Sequence, residues 1–326
     1  MFKSRMIRSI SIALVLAGSA LLLSACVKQP KPPLVFGATF WPGYEPIYLA
    51  RELNYYDPTQ VHLAEYSNGL QVLRGFQNRM LHVAAVTLDD ALLLQQDIPD
   101  LRIILVLDAS NGADALIAQA DINTLQQLKG RRIGAEKTAL GAIVLNLALD
   151  SVNMRADEVT VVPLALDEHE SAFHSHQVDA VVTFEPVRTR LLRGDARQLF
   201  DSSQVPGKII DVLVTRGEYI ERYKTELALL VQGWDKARQY MQQEPEDALK
   251  IMAARERVST MEFTSLLAGI TLTDLNQNRN LLGVGKAELQ SNAASMQEYL
   301  LKLGQVKRIA DISSMFDATI IALIHP

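Results

Sequence analysis

From residue 34 to residue 215 the chain alternates short apolar runs with helix-spaced segments, which restricts it to folds whose helices cover a sheet. LVFGATF (34–40), VHLAEY (61–66), HVAAVT (82–87) and LRIILVL (101–107) read as strands, separated by helical patterns at 44–55, 70–79 and 91–96. A second block follows with ALIAQ (115–119), RRIGAE (131–136), EVTVVPL (158–164), DAVVTF (179–184) and RQLFD (197–201), interleaved with helices at 141–149 and 168–176. After DVLVT (211–215) the pattern is almost purely helical, at 216–243, 245–256, 260–269, 271–276, 286–303 and 311–323. A helical tail of that length needs a surface to cover. The economical arrangement is two α/β lobes, 34–110 plus 212–326 and 111–211, with a cleft between them where strand C-termini and helix N-termini meet a small ligand.

The beginning of the chain has a different character. Lys3, Arg5 and Arg8 precede an apolar run from Ile10 to Ala25, too short for a bilayer span and ordered like a signal peptide (1–25). Leu23-Ser24-Ala25-Cys26 resembles a bacterial lipobox, which makes Cys26, the single cysteine, the expected acylation site of a lipoprotein carrying palmitate or similar chains as its membrane anchor. Residues 26–33, with three prolines in VKQPKPP, read as a stiff tether. Without residues 1–25 the charge is 29 basic against 37 acidic side chains, a sign opposed to general nucleic-acid binding.

Several segments in order and spacing resemble the periplasmic substrate-binding proteins of sulfonate, nitrate and thiamine-precursor ABC importers. They are Phe40-Trp41-Pro42-Gly43-Tyr44-Glu45-Pro46 with Ala50-Arg51-Glu52-Leu53, the run from Asp108 to Ala115, Leu128-Lys129-Gly130-Arg131-Arg132-Ile133-Gly134, the run from Val178 to Pro186, and Leu199-Phe200-Asp201-Ser202-Ser203. The resemblance covers about 34–215 and implies a class-II-like bilobal periplasmic-binding-protein fold, with two parallel-rich sheets flanked by helices and a helical C-terminal tail. It also implies capture of a small solute, delivery to an ABC permease, no enzymatic activity and no cofactor, in a monomer anchored at the cell envelope facing the periplasm or exterior. One branch of the superfamily resembles enzymes that build a thiamine pyrimidine and carry a cysteine-rich iron segment. A chain with one cysteine does not fit that branch.

Candidate ligand-binding residues lie on the turns expected at the cleft. Trp41 and Tyr44 follow the first strand at a Pro-Gly turn, where rings stack on a flat solute, close over a methylated cation or plug the lobe. Asn68 either caps the next helix or touches solute, as does Asp89 or its neighbour Asp90 after the third strand. Asn111 and Asp114 flank the first crossing, where Gly112 permits a bend, and serve the hinge or the ligand. Thr138 opens a helix of the second lobe beside Lys137. Glu185, at a strand end, needs a basic partner, either Arg188 or a ligand amine or amidine. Acids around the proposed cleft (Asp89, Asp90, Asp114, Glu185, Asp211) outnumber bases (Lys137, Arg188), which favours a nitrogenous or cationic solute over a sulfonate or nitrate.

Other chemistry finds little support. His169 and His174 are five apart, so on a helix they diverge by about 140° rather than sharing a metal-binding face. No G-x-G-x-x-G, phosphate-loop or G-x-S-x-G sequence occurs. The expectation is a solute-binding lipoprotein of an ABC importer. The alternative, identical in its binding physics, is a ligand-sensing lipoprotein that signals to a membrane receptor.

Overall fold

The structure, a computed structural model, describes residues 31–324. The expected signal peptide, Cys26 and the first part of the expected tether lie outside the described residues. The first lobe opens with β1 (Leu34–Thr39), α1 (Glu45–Glu52), β2 (Val61–Tyr66), α2 (Gly69–Gln77), β3 (Val83–Thr87), α3 (Leu88–Gln95) and β4 (Leu101–Ser110). The second comprises β5 (Asp114–Ala118), β6 (Arg132–Ala135), α4 (Ala139–Asp150), β7 (Thr160–Pro163), α5 (His169–His174), β8 (Ala180–Phe184), α6 (Val187–Leu192) and β9 (Arg197–Asp201). The chain returns as β10 (Ile210–Arg216), then runs through α7 (Gly217–Arg222), α8 (Lys224–Gln243), α9 (Pro245–Glu256), α10 (Thr260–Leu267), β11 (Ile270–Leu272), α11 (Leu275–Leu282) and α12 (Lys286–Lys302).

Two sheets result, ordered β11-β4-β10-β3-β1-β2 and β7-β6-β8-β5-β9. This is the bilobal α/β architecture expected of a class II periplasmic-binding-protein fold. The central strands β3, β8 and β10 are buried along their whole length, and their mainly apolar sequences suit strands covered on both faces. At the edge, β2 mixes buried and exposed positions.

The sheets are mixed rather than parallel-rich. β1 runs parallel to β2 and β3, and β6 parallel to β7 and β8. β10 runs antiparallel to β3 and β4, and β5 antiparallel to β8 and β9. Direct crossing between lobes is the cause. β4 ends at the cleft, so β5 must start there and run away from it. β9 comes back beside Ala115, and β10 departs from beside Ala109.

The crossings are tied together by hydroxyls. The Ser110 and Ser202 Oγ atoms lie 2.8 Å apart, and the Gly112 N–H donates to Ser202 Oγ at 2.6 Å. Gly112 has φ of +116°, a conformation that other residues rarely take.

In the tail, the expected helix at 271–276 is instead β11, paired antiparallel with Asp108–Ser110. The helix proper starts at Leu275, capped by Asp274. The expected helix at 311–323 is also absent. The Ile103 N–H donates to Met315 O at 2.6 Å and the Asp317 N–H to Ile103 O at 3.0 Å, leaving one short 3-10 turn at Ile321–Leu323. Both segments lie against β4, whose outer edge offers free N–H and C=O groups that a helix would leave unpaired.

Candidate functional site

Strand ends deliver side chains from both lobes to one cleft. Thr39 ends β1, and Trp41 and Tyr44 follow it; Thr87 ends β3, with Asp90 one helical turn beyond. Asp211 lies at the start of β10. From the second lobe come Asp114 on β5, Glu136 and Thr138 after β6, and Phe184 at the end of β8. Little open space remains between them, about 40 Å³, enough for a few water molecules at ~10–15 Å³ each.

One wall is a hydrogen-bonded set of aromatics and acids. The Trp41 indole N–H donates to both Asp108 oxygens, at 3.2 and 3.3 Å, and the Tyr44 hydroxyl donates to Asp211. A Cβ on Gly43 would fall 2.2 Å from Asp108 Oδ2 and 2.5 Å from Trp41 Nε1, so only glycine leaves this contact intact. The Trp41 ring meets Phe184 of the other lobe edge-on, with centroids 5.8 Å apart.

Burial dominates the electrostatics. It pushes the Asp108 carboxyl up to about 7 against the opposing pull of hydrogen bonds from Asp211 and Trp41. Asp114 rises to about 7, mainly through burial, and Asp211 well above the usual carboxylate range through burial and the neighbouring Asp108. The Tyr44 hydroxyl is pushed well up by burial and by Asp211. Among the described residues, Asp114 Oδ2 and Thr39 Oγ1 have no hydrogen-bond partner.

Two more carboxylates bridge the lobes. Glu136 accepts from the Gly69 N–H at 3.3 Å, and Asp90 accepts from the Ala139 N–H at 2.8 Å. Burial raises Glu136 to about 7 and Asp90 to about 6. A Cβ on Gly141 would collide with the Glu136 carbonyl at 2.4 Å, so glycine lets α4 start close behind Glu136.

Of the candidates read from sequence, Trp41, Tyr44, Asp114 and Thr138 line this cleft. Asn68, Asp89, Asn111 and Glu185 do not. Asn68 caps α2 by accepting from the Gln71 N–H at 3.0 Å. Asp89 is buried beside the cleft, its carboxyl held well above the usual range by burial and by Asp90. Asn111 is exposed at the crossing. Glu185, 1% exposed, accepts from Arg188 Nη1 at 2.7 Å and from the Thr189 N–H and hydroxyl at 3.0 Å each, which is the internal pairing.

Thr138 serves as an N-cap, accepting from the Gly141 N–H at 3.1 Å, and Lys137 is exposed. Thr39, Glu136 and Phe184 were not singled out from sequence, because each sits at the end of a strand whose pattern says it is buried but not which lobe it meets. His169 is buried, with its ring pushed down to about 4 by burial and Nδ1 3.1 Å from Thr183 Oγ1, whereas His174 is exposed. No group of three metal-ligating side chains occurs among the described residues.

This cleft between two mixed-sheet lobes is the arrangement of the periplasmic-binding-protein superfamily. The chain belongs to the family described as NMT1/THI5 like, whose model matches residues 41–248. A Brucella abortus protein, named only as a candidate binding protein, is 25% identical over 154 residues, 46% of this chain and 48% of its own. The chain therefore matches about half the length of that curated relative.

Solved structures share the fold. The alkanesulfonate-binding protein SsuA of Xanthomonas axonopodis, bound to MOPS, superposes with a TM-score of 0.71 at 15% identity, covering 85% of this chain and 96% of that one. The ligand-binding component of an ABC-type import system of Staphylococcus aureus, with zinc bound, gives a TM-score of 0.73 at 14% identity over 90% and 98% of the two chains. The desulfurization enzyme DSZB has the fold as well, with a TM-score of 0.62 at 14% identity over 88% and 97%.

Proposed function

We propose that this chain is the solute-binding component of an ABC-type importer and that its solute is a small nitrogenous cation. One observation carries the choice of solute. The residues lining the cleft include four carboxylates, Asp90, Asp114, Glu136 and Asp211, and no Lys, Arg or His. Three aromatic side chains, Trp41, Tyr44 and Phe184, stand with them. Rings and acids together favour an organic cation, whose charge would draw the raised carboxyls into their ionised form, whereas a sulfonate would find no basic side chain among the lining residues to pair with.

In this reading Asp114 Oδ2 receives the positive nitrogen, and Trp41 and Phe184 offer ring surface from opposite lobes. Contacts made only when both lobes approach shift the open-closed equilibrium, and the permease recognises the loaded form. Family membership and the binding proteins that share the fold support the transport role. The lobes are assigned to 34–110 plus 212–326 and to 111–211. An acyl chain on Cys26 would hold the protein at the envelope, and a Cys26→Ser protein should leave the membrane fraction.

Thermal-shift and calorimetric titration of the dialysed chain tests the solute, with primary amines, quaternary ammonium and guanidino compounds set against alkanesulfonates and nitrate. A preference for cations is expected; tight sulfonate binding without cation binding would overturn the reading. Mass spectrometry of any copurified solute provides a second check.

A further inference from the structure

Two helix N-termini face the cleft, one from each lobe, and each is filled by a carboxylate of the opposite lobe. At α2 the Asn68 side chain takes the Gln71 N–H, and Glu136 takes the first helical N–H, that of Gly69. At α4 the Thr138 side chain takes the Gly141 N–H, and Asp90 takes the first helical N–H, that of Ala139. Neither helix has an acid in its own first turn, so the negative charge opposite each positive helix end comes from across the cleft.

Both carboxylates are buried, at 6% exposure for Asp90 and 8% for Glu136. Hydrogen bonds to an ionised acceptor are roughly twice as strong as neutral ones, so both bonds are strongest above about pH 7, where Asp90 and Glu136 are both ionised. These two exist only while the lobes are together, because donor and acceptor belong to different lobes in each case.

We infer that Asp90 and Glu136 are positioning residues for solute capture: each holds the opposite lobe by a helix N-terminus, and the pair sets how far closed the lobes stand before a solute arrives. The arrangement is reciprocal, so twisting one lobe against the other lengthens both bonds. Other interlobe contacts are the Trp41–Phe184 ring pair inside the cleft, apolar packing of Leu88 and Ile143 in one buried cluster, and at the rim the Arg193–Glu262 ion pair and the Tyr299 hydroxyl on Asp150 Oδ2 at 2.9 Å. In each rim pair one partner, Arg193 or Asp150, is exposed, which weakens the pair by solvent screening, and the apolar contacts do not fix a direction as the two helix-end bonds do.

Small-angle scattering of the dialysed full chain tests the inference. The D90A/E136A variant should have a larger radius of gyration than the wild type while still melting cooperatively. The D90N/E136Q variant, which keeps acceptor oxygens but drops the charge, should fall between them. A lower melting temperature with an unchanged scattering curve would mean ordinary structural contacts and would overturn the inference. If the alanine variant fails to fold, D90N/E136Q decides by the same criterion. The measurement contains no solute, so an unchanged curve leaves the cation reading standing, and a failure to bind cations leaves this inference standing.

Discussion

Asp114 is buried beside the first crossing and lines the cleft; Ser110 hydrogen-bonds its carboxyl, and its Oδ2 has no hydrogen-bond partner among the described residues. A buried carboxylate oxygen without a partner is costly, and a solute nitrogen would supply one. Asp114→Asn keeps the shape and removes the charge. Cation affinity is expected to fall tenfold to a hundredfold, since a hydrogen bond to a charged group contributes ~1.5–3 kcal/mol; calorimetry checks this. The same substitution should raise the melting temperature more at pH 8, where the native carboxyl is forced to ionise, than at pH 5.

Glu185 gives the opposite pattern, because its charge is already matched inside its own lobe. Arg188→Met would leave that carboxylate with Thr189 alone and is expected to destabilise the protein by about 1–3 kcal/mol, read by denaturant unfolding. Cation affinity should stay unchanged, because neither residue lines the cleft.

Elements differ in how well the sequence announces them. Most helices and strands between 34 and 216 follow from period and turn residues, as with the mainly apolar β8 or the Asn68 and Thr138 caps, whereas the short α6 (Val187–Leu192) was not read from the sequence. Strand direction in the sheets is not encoded locally; it follows from β5 and β10 starting at the lobe crossings. β11 is three residues long and exists because the edge of β4 accepts it, which no local pattern reveals.

The cleft was legible where a residue sits on a turn after a strand, as Trp41, Tyr44 and Thr138 do. It was illegible where neighbours compete: of Asp89 and Asp90, about 100° apart on one helix, only Asp90 reaches the other lobe. The first crossing itself carries a prediction. Gly112→Ala forces an L side chain into a positive-φ conformation and should cost at least about 1 kcal/mol, measurable as a lower midpoint of unfolding.

Across the whole molecule, an unusual number of buried carboxyls ties stability to pH with a definite sign. Asp90 is raised to about 6, and Asp108, Asp114 and Glu136 to about 7. Asp89, Asp211, Glu45 and Glu256 are raised as well, each mainly by burial. Such a group stays protonated in the folded chain at a pH where the unfolded chain has already released its proton. The folded state then binds more protons, so stability falls as pH rises from the unfolded carboxyl range, ~4, through about 7.

His169 acts in the other direction. Its folded value near 4 means that the unfolded chain binds the extra proton between about 4 and the ordinary histidine value of ~6.5, and stability from this one group rises with pH there. Carboxyls lowered by hydrogen bonds, such as Asp57, Glu158 and Asp311, act only below the usual carboxyl range. Several raised carboxyls against one histidine leave a net fall. Calorimetric melting of the solute-free chain should therefore give a higher midpoint at pH 5 than at pH 8, and a rising midpoint over that window would contradict the buried, uncompensated acids. A bound cation reverses the preference by stabilising the ionised carboxylates. The thermal upshift produced by a given amine should accordingly be larger at pH 8 than at pH 5. Binding at pH 7 should also release protons, visible as a calorimetric enthalpy that changes with the ionisation enthalpy of the buffer.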